Sequence, residues 1–161
     1  AIKAFRRFIE IAPHAELWVL GAVFDEDYYT ECYEFVREHG LPVRFLGLRP
    51  SWESLYLLAI SRVILLASIS ECVPLAVLEA AAFGKPTICT ENSYIREYLG
   101  DYPIYCKPTE ESIYEEMRRA WVLPANQAVA ERVRKELSWN MSIQSLLDAY
   151  TKAVETCKSA S

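Results

Sequence analysis

The sequence has few of the residues from which metal centres and membrane spans are built. It contains only two histidines, His14 and His39, and no Cys-x-x-Cys pair, so the ligand spacings of common zinc sites are missing. No apolar run approaches the roughly 20 residues of a membrane-spanning helix. We therefore predict neither a bound metal nor a membrane span. The histidines lie beside Pro13 and Gly40, which favours surface or helix-capping positions for both.

Basic residues are also in the minority. The chain has 17 Lys and Arg against 22 Asp and Glu, a net charge of −5. A broad nucleic-acid surface needs a basic field, so nucleic acid is not expected as a partner. The length of 161 residues, with 52% hydrophobic and 24% charged residues, suits one globular domain with its own core.

The cysteines do not form the pattern of a disulfide framework. There are five of them, an odd number, and no two are separated by the two residues of a metal-binding Cys-x-x-Cys pair. Such usage predicts reduced thiols and a cytoplasmic location.

Strand and helix patterns alternate along the chain. Apolar, β-branched runs predict strands over residues 16–20, 43–48, 63–67, 87–89 and 104–106. Helical spacing predicts helices over residues 1–9, 26–39, 52–61, 75–83, 94–99 (a short turn or helix), 110–121, 126–137 and 142–157. Ser51 and Thr109 are the expected N-caps of two of them. The alternation predicts an α/β fold, a Rossmann-like doubly wound parallel sheet with helices on both faces and a helical C-terminal tail.

No repeat, low-complexity linker or second domain interrupts this pattern, so residues 1–161 are expected to form a single domain. A doubly wound domain places a strand before its first helix. Here the helical pattern comes first, because Ala1, Phe5 and Phe8 already recur at helical spacing. We therefore expect a fragment that lacks its first strand.

The segment 63–90 has the most specific order of features. An apolar strand, a polar loop over residues 68–73 and Pro74 lead into the helix 75–83, which Gly84 and Pro86 end. Apart from Glu79 this helix has no polar residue, and a helix that is apolar all round is buried. A buried carboxylate is costly unless it is hydrogen-bonded, so Glu79 is a candidate functional residue.

Two glutamates carry a family resemblance. Glu71 and Glu79, spaced E-x7-E, with Pro74-Leu75 between them and E-A-A-A-F-G-K-P from Glu79 onward, resemble the signature of GT-B glycosyltransferases that use nucleotide sugars. Within these the match is to the large retaining group usually called family four. The resemblance covers nearly the whole chain and implies the carboxyl-terminal, nucleotide-sugar-binding half of such an enzyme.

Weaker matches in the same order support this resemblance. They are Gly21 after a strand, the V-x-F-x-G of residues 43–47 and the Ser138-Trp139 pair before the last helix. Singly these matches are common, and their order gives them weight. The last helix crosses back to the amino-terminal half in the family, although an amphipathic packing helix fits its residues equally well.

The resemblance also implies roles for individual residues. Glu79 would accept hydrogen bonds from the ribose hydroxyls, and Glu71 would hold hydroxyls of the sugar. Backbone groups of the loop would contact sugar and diphosphate, across Cys72, Val73, Pro74 and Leu75. The base would lie near Gly47, Leu48 and Arg49, although an exposed loop cation is an equally good interpretation of Arg49.

The implied reaction is hexosyl transfer from a nucleotide-diphosphate sugar to an acceptor, with retention and without a metal or other cofactor. The sequence departs from the family pattern at Cys72, where glycine is usual and where a Cβ could crowd the sugar. The amino-terminal acceptor domain and the basic residues that grip the diphosphate are missing, so the chain alone is not expected to be active. Neither base, sugar nor acceptor can be assigned, and contact with a membrane surface is expected only through the missing half.

Two alternatives remain open. The chain could be a degenerate GT-B module that acts as a structural or regulatory partner, which Cys72 favours and the intact Glu71/Glu79 pair disfavours. Nucleotide-sugar epimerases and phosphorylases share the fold and are a third, weaker possibility.

Overall fold

A computed structural model describes residues 1–159 and shows five short strands among eight helices. The strands are β1 (Leu17–Leu20), β2 (Val43–Gly47), β3 (Ile64–Leu66), β4 (Thr87–Thr90) and β5 (Ile104–Cys106). The helices are α1 (Ile2–Phe8), α2 (Glu26–Glu38), α3 (Ser51–Ile60), α4 (Leu75–Ala82), α5 (Arg96–Leu99), α6 (Glu110–Trp121), α7 (Gln127–Glu136) and α8 (Trp139–Ser159). Every predicted element is present, and most ends lie within two residues of the prediction.

The strands pair in parallel, but in two sheets where one was predicted. β1 pairs with β2, while β3, β4 and β5 form a second sheet in that order. The strands β1 and β3 do not pair with each other, and both line one cleft of about 1600 Å³. The cleft therefore separates the two halves of the expected sheet.

Helices cover both faces of the larger sheet, as predicted. Ile88 of β4 packs on one face with Phe5, Phe8 and Met117 of helices α1 and α6. The next residue, Cys89, points to the other face and joins a second core cluster, made by Val77, Ala81, Ile95, Leu99 and Val133. Because successive side chains of a strand alternate between faces, β4 is buried along its whole length.

Capping side chains explain several helix starts. Thr109 Oγ1 accepts a hydrogen bond from the backbone N–H of Ser112 at 3.3 Å, which confirms the predicted cap of α6. Asp25 caps α2 in the same way, because its Oδ1 accepts a hydrogen bond from the backbone N–H of Tyr28 at 2.9 Å.

The prediction that Ser51 caps α3 was wrong. Ser51 is the first helical residue, and Pro50, with φ −55° and ψ 148°, precedes it. The carbonyl oxygen of Pro50 accepts hydrogen bonds from the N–H groups of Glu53 and Ser54. An extended proline therefore starts this helix without a side-chain cap.

The last helix is longer than predicted, since it begins at Trp139. Its apolar side chains at Ile143, Leu147, Tyr150 and Val154 remain at least half exposed. None of the helices within residues 1–159 combines the length and apolar content that a membrane crossing requires.

The described residues contain no disulfide, and burial raises the pKa of Cys106 to about 11. The histidines lie where the sequence predicted them. The Nδ1 of His39, at the end of α2, lies 2.9 Å from the carbonyl oxygen of Phe35. His14 is exposed.

Gly84 ends α4 in a conformation and a space that only glycine fits. Its φ is +67°, and a Cβ built there would lie 2.5 Å from the backbone oxygen of Asn126. The N–H of Asn126 donates to the Gly84 carbonyl at 2.8 Å. This close approach ties the end of α4 to the start of α7.

We expect Gly84→Ala to lower the free energy of unfolding more than Gly40→Ala. Both glycines end a helix with the same hydrogen-bond pattern and with positive φ, which costs alanine about 1–2 kcal/mol, but nothing lies within 4 Å of a Cβ at Gly40. Overpacking against Asn126 adds about 1–3 kcal/mol at Gly84 only. Urea denaturation of both variants measures the difference, and equal losses would contradict the close contact.

Candidate functional site

Two neighbouring loops lie at the carboxyl ends of β3 and β4. The first, residues 67–74, connects β3 to α4, and the second, residues 91–95, connects β4 to α5. Since β3 and β4 pair in parallel, both loops emerge at the same edge of the sheet. Ligands of open α/β sheets bind at this edge.

The tip of α4 offers unpaired backbone N–H groups. Pro74, with φ −71° and ψ 113°, precedes the helix instead of forming its first turn. Within residues 1–159, the N–H groups of Val73, Leu75 and Ala76 have no hydrogen-bond acceptor. Free N–H groups at a helix N-terminus attract phosphate and other anions.

Glu79 is exposed, so the prediction that it is buried was wrong. Helix α4 buries Val77, Ala80 and Ala81, but Leu75, Ala76 and Glu79 form an exposed face. Ala76 and Glu79 line the cleft, so the apolar surroundings that the sequence suggested belong only to the opposite face. Partial desolvation at the cleft wall still raises the pKa of the Glu79 carboxyl above its ordinary value.

Glu71 lies half-buried in the first loop, with one carboxylate oxygen engaged. Ser68 Oγ donates a hydrogen bond of 2.6 Å to Glu71 Oε1. The other oxygen, Oε2, has no partner within the described residues. This oxygen can therefore accept a hydrogen bond from a ligand.

The segment after β2 lies at the same cleft as Glu79. Gly47, Leu48 and Arg49 all line it, and Leu48 is 80% exposed. Arg49 Nε donates to the carbonyl of Leu46 at 2.8 Å, and its Nη1 lies 3.5 Å from Glu53. The guanidinium is thus partly neutralised at the start of α3.

The structure therefore brings only some of the predicted residues into one cleft wall. Glu79 faces the same space as residues 47–49, and Ser68 also lines it. Glu71 and residues 72–75 lie on the adjoining loop and do not line the cleft.

Cys72 does not need the backbone freedom of glycine. Its φ is negative, because no residue other than glycine in the described part of the chain has positive φ. Its side chain is exposed, and its carbonyl oxygen accepts a hydrogen bond of 2.9 Å from the N–H of Tyr94.

Sequence reasoning missed three residues of this site. Ala76 contributes a free N–H, and its position one turn before Glu79 on α4 could have indicated the shared face. Ser68 could have been found from its Ser-x-x-Glu spacing to Glu71. Asn92, which contacts the first loop from the second, has no signal in the local sequence.

Solved structures with the same fold include glycosyltransferases and a sucrose-phosphate synthase. Sucrose-phosphate synthase from Thermosynechococcus elongatus superposes with a TM-score of 0.78 at 17% identity, over 96% of this chain and 42% of that one. Anabaena HepE in complex with UDP and glucose superposes with a TM-score of 0.71 at 21% identity, over 92% of this chain and 43% of that one. AviGT4, a glycosyltransferase involved in avilamycin A biosynthesis, superposes with a TM-score of 0.71 at 22% identity, over 96% of this chain and 47% of that one.

The chain spans less than half the length of these structures. A sequence comparison with curated proteins finds no significant match. The family described as glycosyl transferases group 1 matches residues 1–136, which is most of the chain. The chain therefore belongs to the glycosyl transferases group 1, in agreement with its resemblance to GT-B enzymes.

Proposed function

We propose that this chain is the sugar-donor-binding half of a retaining glycosyltransferase, which transfers a hexose from a nucleotide-diphosphate sugar to an acceptor. The observation that carries the proposal is the free helix tip of α4, with N–H groups at Val73, Leu75 and Ala76 beside the cleft that Glu79 lines. Amide donors suit a diphosphate. Carboxylates on either side of the tip suit hydroxyl groups of ribose and sugar.

The reaction requires charge stabilisation at the leaving group. The bond from the anomeric carbon to the diphosphate oxygen breaks through an oxocarbenium-like transition state. The acceptor oxygen bonds to that carbon on the same face, and its proton passes to the departing diphosphate. N–H groups at the tip of α4 would stabilise the negative charge that develops on the phosphate.

The comparisons support the class of donor. Anabaena HepE forms a complex with UDP and glucose, and its fold matches this chain. Since the chain spans less than half of that protein, the acceptor site is assigned to an amino-terminal half. A cytoplasmic enzyme with donor and acceptor halves is the proposed whole.

The cleft between the two sheets is where a further strand of the whole domain would fit. The facing edges of β1 and β3 do not pair with any other strand in the described residues, and α1 starts at this cleft. A right-handed crossover would place a strand that leads into α1 next to β1. We therefore propose that an extended apolar segment before α1 joins the two sheets.

Glu79→Ala should weaken nucleotide binding roughly tenfold or more, because charge-assisted hydrogen bonds to the ribose are lost. Calorimetric titration of UDP, GDP and ADP measures the loss and identifies the base. Glu131→Ala, which changes an exposed glutamate of α7, is the matched control and should bind as tightly as the unaltered chain.

Failure of every nucleotide to bind, even to a longer protein that includes the upstream sequence, would contradict the proposal. That result would favour the structural or regulatory alternative. Product analysis with the longer protein would separate glycosyl transfer from epimerisation and phosphorolysis.

Nucleotide affinity should fall on acidification at a pH above the range of an ordinary glutamate. The ribose hydroxyls would bind the ionised Glu79 carboxylate, so affinity is complete above its pKa and declines as the pH falls through it. Desolvation raises the pKa of the Glu79 carboxyl above its ordinary value, which moves the decline to higher pH. Titrations across this range should show the decline in the unaltered chain and a flatter profile in Glu79→Gln; identical profiles would contradict the assignment.

An added strand should stabilise the chain. We would extend Ala1 with a short polar linker preceded by a copy of residues 63–67, an apolar strand sequence. The free energy of unfolding should rise, because the copy pairs with β1 and β3 and buries apolar side chains. The same extension with a central proline, which cannot complete the pairing, is the control. Equal stability of both extensions would contradict the proposed strand.

A further inference from the structure

The middle of the loop that carries Glu71, residues 69–72, is held by hydrogen bonds and very little by packing. Ile69 is 80% exposed, and Ser70 and Cys72 are exposed as well. Side chains that face water cannot fix a backbone by close packing. The position of Glu71 must therefore depend on what its loop is bonded to.

The second loop supplies those bonds. The N–H of Glu71 donates to the carbonyl of Asn92 at 2.9 Å, and the N–H of Tyr94 donates to the carbonyl of Cys72 at 2.9 Å. The side-chain Nδ2 of Asn92 donates to the carbonyl of Ile69 at 3.1 Å. Asn92 thus bonds to both ends of the segment 69–71.

Asn92 is itself attached to the core on both sides. Thr90 is fully buried, and its Oγ1 accepts from the N–H of Asn92 at 3.4 Å. Ile95 is also fully buried, and its N–H donates to Ser93 Oγ at 3.1 Å. The first bond holds Asn92 itself and the second holds its neighbour Ser93, so the second loop is a firm support for the exposed loop beside it.

The Glu71 carboxylate has a separate anchor. Ser68, at the end of the β3 segment, donates to Oε1 and leaves Oε2 available. Asn92 therefore fixes the backbone of Glu71, and Ser68 fixes the direction of its side chain.

We propose that Asn92 and Ser68 are positioning residues that hold Glu71 so that Oε2 meets a hydroxyl of the bound sugar. The inference rests on the proposed function, because it concerns the sugar of the nucleotide-diphosphate donor. It goes further because it assigns sugar recognition to the hydrogen bonds that hold Glu71, made by Ser68 and by Asn92 of the second loop. We call this set of hydrogen bonds the bracket. The nucleotide, bound at the tip of α4 and at Glu79, does not depend on this bracket.

The test is the affinity gained from the sugar, the ratio of the Kd for UDP to the Kd for UDP-glucose. Asn92→Ala and Ser68→Ala should each lower this ratio roughly three- to tenfold, the effect of one lost hydrogen bond, and leave the Kd for UDP within about twofold. Ser68→Thr keeps the hydroxyl and should restore the ratio. Ser70→Ala in the same loop and Asn140→Ala in α8 are the matched controls and should change neither Kd.

Equal weakening of both ligands in Asn92→Ala would show a general loosening of the site and overturn the inference. An unchanged ratio would overturn it as well. If Glu71→Gln leaves the ratio as it is in the unaltered chain, the Glu71 carboxylate does not hold the sugar and the inference falls.

Amide hydrogen exchange tests the bracket without a ligand. In Asn92→Ala the amides of Glu71 and Tyr94 should exchange at least tenfold faster, while the amide of Ile88 in the buried strand β4 is unchanged. Unchanged exchange at Glu71 would overturn the positioning role. If titration identifies GDP or ADP as the ligand in place of UDP, the same ratio is measured with that nucleotide and its glucose conjugate. If none of the three nucleotides binds, even to the longer protein, the proposed function fails, and hydrogen exchange alone decides whether Asn92 holds the loop.

Discussion

Parallel pairing of β3 with the fully buried β4 is the constraint on which the site depends. The pairing of Ile64, Leu65 and Leu66 with residues 87–89 brings the two following loops to one edge of the sheet. The first loop then leads into α4, whose tip keeps free N–H groups, and the second holds that loop by hydrogen bonds. Had the strands been antiparallel, these loops would lie at opposite edges.

The order and kind of the elements could be predicted because their signals are local. Thr109 followed by an amphipathic run gave α6 with its observed ends, and the apolar run at Ile104 gave β5. Two sheets in place of one could not be predicted, since pairing across the cleft depends on strands far apart in the chain. Ser51 failed as a cap because Pro50 already supplied the extended residue before α3.

The arrangement of the candidate site residues differs from the one that the sequence predicted. The composition of α4 suggested that Glu79 is buried, yet one face of the helix packs while the other forms the cleft wall. Composition gives the average environment of a helix, whereas the orientation of each residue follows from packing partners such as Val133 of α7. For the same reason the contact between Asn92 and Ile69, 23 residues apart, has no local signal.

The charge around the tip of α4 limits how a diphosphate could be bound there. The chain has a net charge of −5, and the two glutamates flank the tip of α4. Arg49 is paired with Glu53, and Arg96 is paired with Asp101 and stacked on Tyr105. Neither loop contains a lysine or an arginine, so a diphosphate here would meet carboxylates without an opposing cation from either loop, and dipoles of N–H groups compensate such charge only partly. Under the proposed function, tight donor binding would therefore require positive charge from outside these two loops, whereas the hydroxyl contacts proposed for Glu71 and Glu79 would not.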